Sequence, residues 1–133
     1  LKYAVKRGVD VRIIMPHIPD KNYTLWLARS YYKRLIKSGV KIFEYKKGFV
    51  HAKVTIADAN TAVVGTINYD YRSLYLNYEC ALLMYNVKEI ENIEKDFITT
   101  QSACMEITLD EHKKFNVFGR MVGMVLRWFA PLI

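Results

Sequence analysis

The chain has 133 residues, of which 52% are hydrophobic, and a formal net charge of +7. That length suits one domain with a packed core, and the apolar fraction excludes a disordered tail. The charge favours an anionic partner, whether nucleic acid, an anionic membrane surface or a phosphorylated substrate, without choosing among them.

Residues 1–7 suit the last turns of a helix, with Gly8 as its left-handed cap. A start at Leu1, inside a helix lacking its own N-cap, reads as a fragment of a longer polypeptide. Val9–Met15 is a β-branched run between Gly8 and Pro16 and predicts a strand. The loop 16–22 holds two prolines and His17. A helix capped by Thr24 and running to about Ser38 follows, with Leu27, Tyr31, Leu35 and Tyr32 on its apolar side and Gly39 as its stop. Val40–Tyr45 alternates as a second strand. Ala52–Ala57 and Thr61–Gly65 predict a hairpin closed by Asp58-Ala59-Asn60. Asn68 or Asp70 is placed to cap a short helix, and Glu79–Tyr85 predicts a strand buried on both faces, with Cys80 as a buried thiol. Val87–Gln101 has helical periodicity through Ile90, Ile93, Phe97 and Ile98. This order predicts an α/β fold, a layered α-β-α arrangement with a mixed β-sheet flanked by helices. No signal peptide is visible, and no run of about 18 apolar residues is present.

The chemistry concentrates between residues 51 and 79. The pattern is His51-x-Lys53-x-x-x-x-Asp58, then Gly65-Thr66-x-Asn68, with Glu79 beyond. Two residues apart near a strand's start, His51 and Lys53 project from one face. An imidazole beside an ammonium suits a tetrahedral phosphate: one attacks phosphorus or moves a proton, the other holds non-bridging oxygens. Asn68 can donate its amide to a phosphate oxygen, and the N–H groups opening a helix there add to the anion site. Taken singly, a histidine is most often structural, a lysine solvated, an Asp a turn residue and an Asn a cap. It is the combination at these spacings that points to phosphodiester chemistry.

His51-Ala52-Lys53, Asp58 and Gly65-Thr66-Ile67-Asn68 resemble the HKD signature of the phospholipase D superfamily. The flanking text, GVDVRIIMPHIPDK, KSGVKIFEYKKGFVHAK and AVVGTINYDYRSLYLNYE, is similar to the C-terminal half of bacterial cardiolipin synthases over essentially the whole chain. The resemblance implies an enzyme that pairs two HKD motifs across a pseudo-twofold axis, so this chain would supply one of two half-sites. One histidine of such a pair becomes a phosphohistidine and the other protonates the leaving alcohol. In a cardiolipin synthase both donor and acceptor are phosphatidylglycerol, and glycerol leaves. The resemblance implies no cofactor and no metal, the lysines and asparagines taking the electrostatic role.

On this resemblance His51, Lys53, Asn68 and Glu79 are the expected catalytic set, Glu79 orienting the histidine. Asp58, Gly65, Thr66, Asp70 and Arg72 are expected to be structural or supporting, with Arg72 pairing to Asp70 or Glu79. Thr66 stands where many relatives carry Ser, and His17 where they carry Gly, which reads as a solvated loop position. Residues 1–112 are expected to form the catalytic domain. Residues 113–133, with Lys113, Lys114, Arg120 and Arg127 and no acid, are expected to form a basic amphipathic helical segment. The expected partners are phosphatidylglycerol, an anionic membrane surface, and a second HKD half from the same polypeptide or from another copy. The expected location is a bacterial cell membrane, with anchoring segments outside this chain. The alternative is a phospholipase D-type nuclease or phosphodiesterase acting as a homodimer, which would bind nucleic acid in a salt-sensitive way.

Overall fold

Gly8 and Gly39 both adopt positive φ, 89° and 93°, and each ends a helix where the sequence predicts a stop. In the computed structural model, which describes residues 1–132, those helices are α1 (Lys2–Lys6) and α2 (Asn22–Ile36). α2 starts two residues before the predicted cap, because the Thr24 hydroxyl donates to the Lys21 carbonyl instead of capping. β1 (Arg12–Pro16) and β2 (Lys41–Tyr45) pair directly in parallel, with α2 as the connection between them. The short strand β6 (Cys104–Glu106) pairs antiparallel to β2 and completes a mixed sheet of order β1-β2-β6. β6 has only three residues, too few for a periodic signal, and the sequence reading missed it.

A second sheet is wholly antiparallel, in the order β3-β4-β5. β3 (Lys53–Ala57) and β4 (Thr61–Gly65) form the predicted hairpin. Asp58 and Ala59 both have φ of 53°, and Asn60 N–H donates to Ala57 O at 3.3 Å, the signature of a type I′ turn. β5 is Ala81–Tyr85. The expected single mixed sheet is therefore two small sheets.

Two compact units result, one of residues 1–50 and 103–129, the other of 51–102 and 130–132. In the first, Tyr32, Val40, Ile42 and Ile107 form the buried core, with Val5, Ile13, Leu35 and Phe115 packed on it. α4 (Leu109–Lys114) and α5 (Val117–Leu126) close this unit, and the Asn116 side chain caps α5 by accepting from Phe118 N–H. In the second, Ala62, Ile90 and Ala130 are the buried apolar residues, Ile90 from α3 (Glu89–Ser102).

β5 departs from expectation. Leu82 and Leu83 point to opposite faces and are 63% and 67% exposed, so neither face is covered. An apolar run read as doubly buried is an edge strand among the described residues, and Cys80 before it is exposed.

Candidate active site

Lys53 opens β3, directly opposite Gly65 at the end of β4, and Gly65 in turn faces Ala81 at the start of β5. This end of the sheet gathers the motif. A Cβ on Gly65 would lie 2.3 Å from the Cys80 carbonyl oxygen and 2.5 Å from the Ala81 Cα, so only glycine lets β5 approach. Thr66 follows at once. Its N–H donates to Cys80 O at 3.0 Å, and its hydroxyl accepts from Cys80 N–H at 3.1 Å and donates to the Glu79 carboxylate. Asn77 Nδ2 reaches the other Glu79 oxygen at 3.4 Å.

The Thr66 hydroxyl beside Glu79 holds its carboxyl below the usual glutamate range, and the Lys53 ammonium acts in the same direction. Glu79 is thus a carboxylate oriented on both oxygens at the mouth of the sheet.

His51 lies two residues before β3, outside the strand, so the strand period does not fix its direction. What ties it to Lys53 is the ammonium, which donates to the His51 carbonyl at 2.8 Å. Lys53 and Thr55 do share a strand face. The Tyr69 hydroxyl is 3.0 Å from Thr55 Oγ1 and fastens the loop carrying Asn68 over that face. Asn68 is exposed in this loop and does not cap the following turn. The cap is Asp70, whose Oδ1 accepts from Ser73 N–H at 2.8 Å. The turn, Arg72–Leu76, is π-helical, with Asn77 N–H donating to Arg72 O at 2.7 Å. A five-residue turn whose N–H is taken by Asp70 offers no anion site of its own, which corrects that expectation. Arg72 is exposed and pairs with neither Asp70 nor Glu79 among the described residues.

Asp58 occupies the opposite end of the hairpin, roughly 16 Å from Lys53 at about 3.3 Å per strand residue. That distance and its place in the type I′ turn keep it from any phosphate held by Lys53.

The first unit holds a charged cluster that sequence reasoning missed. Glu44, fully buried in β2, accepts from Arg29 Nε at 2.9 Å and Nη2 at 2.6 Å, and lies 2.6 Å from His17 Nδ1. The Arg29 guanidinium also stacks on Phe115, 4.0 Å from its ring centre. His17 is therefore tethered to a buried carboxylate, where a solvated loop position was expected. The available signal was Glu44 itself, an acid in a strand otherwise flanked by Ile42 and Phe43.

Residues 1–101 match the family model described as the PLD-like domain of cardiolipin synthase. The chain belongs to that family. The domain is 38% identical over all 133 residues to a cardiolipin synthase of Clostridium perfringens and 40% identical to cardiolipin synthase 2 of Bacillus anthracis. An uncharacterized protein of Streptococcus mutans is 47% identical over the same length. The chain spans 26% to 29% of the length of these relatives. Its fold is that of Nuc from Salmonella typhimurium, a phospholipase D family member, at a TM-score of 0.70 and 24% identity over 81% of this chain and 70% of that one. Phosphatidylserine synthase of Haemophilus influenzae matches at a TM-score of 0.59 and 17% identity, covering 98% of this chain and 35% of its own.

Proposed function

We propose that this PLD-like domain supplies one half-site of a cardiolipin synthase, transferring a phosphatidyl group between two phosphatidylglycerol molecules. The observation that carries the reading is the gathering of Lys53, Gly65, Thr66 and Glu79 at one end of the β3-β4-β5 sheet, with His51 tied to Lys53 and the Asn68 loop fastened above the same strand. The 38–40% identity to cardiolipin synthases supports it.

One histidine of the paired sites attacks phosphorus, and the glycerol oxygen leaves with a proton from the other. The resulting P–N bond is broken by the terminal hydroxyl of a second phosphatidylglycerol, which returns its proton to the second histidine. His51 takes one of these two roles. Lys53 and Asn68 offset the charge that grows on the non-bridging oxygens, and Glu79 is a positioning residue for the histidine pair. The second half-site comes from the same polypeptide or from a second copy, and the enzyme works at a bacterial membrane. No metal and no cofactor enter this scheme.

The test places His51→Ala in the enzyme assembled with its second half-site, in phosphatidylglycerol vesicles, with mass spectrometry following cardiolipin and released glycerol. The expected loss is at least the roughly 10²–10⁴-fold of a proton-transfer group. Unchanged synthesis in the variant overturns the assignment of His51. His51-dependent cleavage of DNA or bis(p-nitrophenyl) phosphate, with no cardiolipin formed, replaces the reading with a nuclease.

A further inference from the structure

Helix α5 is packed inside out. Its contact with α2 runs through Gly119 and Gly123, which are buried against Trp26. A Cβ at Gly123 would lie 2.2 Å from the Trp26 carbonyl oxygen, and one at Gly119 2.8 Å from the Trp26 Nε1. The glycines thus bring the two helices into close approach, with Val122 and Leu126 half-buried beside them and the Phe118 ring edge-on to Trp26 at 6.2 Å, and most of the remaining apolar surface of α5 is left on its other side. Val117 (64% exposed), Phe118 (66%), Met121 (59%), Met124 (53%) and Val125 (60%) fall on one helical face opposite the glycines, and Trp128 (88%) follows just beyond the helix end. A helix stabilised by its own domain normally buries such residues. Here the exposed face carries no polar side chain.

The surrounding charge says what covers it. α5 rests on α2, and α1 flanks α2 across an open groove lined by Lys2, Lys6, Arg34 and Lys37 with Tyr3 and Ser38. None of these three helices contains an Asp or Glu: Lys2 and Lys6 lie in α1, Lys33 and Arg34 in α2 and Arg120 in α5, besides Arg29 of α2, which is held by Glu44 and faces inward. The 22 residues from His112 to Ile133 are also free of acid. An apolar, Trp-bearing ridge on a helical layer of one charge sign fits a surface that is anionic outside and hydrocarbon inside. Nucleic acid satisfies the cations but offers nothing to Met121 or Val125.

We infer that the exposed face of α5 is a peripheral docking surface for an anionic lipid bilayer, with Phe118, Met121, Val125 and Trp128 entering the interface and Lys2, Lys6, Lys33 and Arg34 drawn to the headgroups. No described helix is long and apolar enough to cross a membrane, so this contact is interfacial. It is independent of the phosphatidyl-transfer reading, because docking is measured without turnover.

The experiment uses the chain carrying His51→Ala, with vesicles of phosphatidylglycerol and, separately, of phosphatidylcholine. The chain should sediment with phosphatidylglycerol vesicles, less so at high salt, and Trp128 emission should shift to the blue. Trp128→Phe should remove that shift although Trp26 remains. Met121→Glu with Val125→Glu should weaken binding by about tenfold or more while leaving the thermal midpoint unchanged, since both positions are exposed. Absence of vesicle binding, binding that survives the double substitution, or binding to duplex DNA alone each overturns the inference. So does a lipid-free dimer that the double substitution dissolves, because the face then belongs to a second copy. Hydrogen exchange over residues 117–128 in the enzyme assembled with its second half-site separates the remaining occupant. Protection that appears only with phosphatidylglycerol vesicles supports docking, and protection already present without them gives the face to another part of the protein.

Discussion

Replacing Glu44 by leucine removes the one carboxylate at the centre of the first unit. Glu44 is fully buried and receives Arg29 through two contacts, at 2.9 and 2.6 Å, and His17 through a third at 2.6 Å. Deleting one partner of a buried ion pair costs about 3–5 kcal/mol, mainly because the other charge is stranded. Two features pull the figure to the lower end. The Arg29 side chain keeps 16% of its surface in water and its stacking on Phe115, and the His17 side chain, 36% exposed, can turn outward. The expected loss is about 3 kcal/mol, or roughly 10 °C in Tm for a chain of this size. Circular dichroism during thermal and urea unfolding measures it. Arg29→Met added to Glu44→Leu should recover about 2 kcal/mol, because a matched apolar pair carries no desolvated charge. A single-variant loss under about 0.5 kcal/mol, or a double variant weaker than the single, would refute the claim that this cluster braces the unit.

Three further outcomes are expected. Gly65→Ala should destabilise the chain by about 1–3 kcal/mol in urea unfolding, since its Cβ meets the Cys80 and Ala81 backbone, which cannot move aside as a side chain would; an unchanged midpoint would contradict the close strand approach. Thr66→Val should raise the Glu79 pKa toward the ordinary glutamate range in a carboxyl NMR titration, because the hydroxyl donor is the first cause of its depression. The folded carboxyl titrates below the unfolded one, so the Thr66–Glu79 contact stabilises the fold above the ordinary glutamate range. That contribution falls away as pH drops through the lowered pKa, and the acid arm of the stability curve should flatten in Thr66→Val.

The local pieces of the fold follow from neighbouring residues alone. Gly39 ends α2 because the backbone must turn left-handed there, Asp58-Ala59 closes the β3–β4 hairpin, and the alternation of residues 40–45 makes β2. These are decided by a few adjacent residues, which is what a sequence pattern records. The family is legible for the same reason, since the HKD residues and Gly65-Thr66 keep fixed spacings. Tertiary structure decided what depends on distant partners. Glu44 lies 15 residues from Arg29 and 27 from His17, so no local pattern announces their cluster. The exposure of β5 depends on which strands flank it, and a run such as Ala81–Tyr85 reads alike at a sheet's centre or edge. Thr66 takes its place beside Glu79, 13 positions on in the sequence, only once β4 and β5 pair. The orientation of α5 follows the same rule: its sequence is apolar on several sides, and it is the fit of Gly119 and Gly123 against Trp26 that sends Met121, Met124 and Val125 outward.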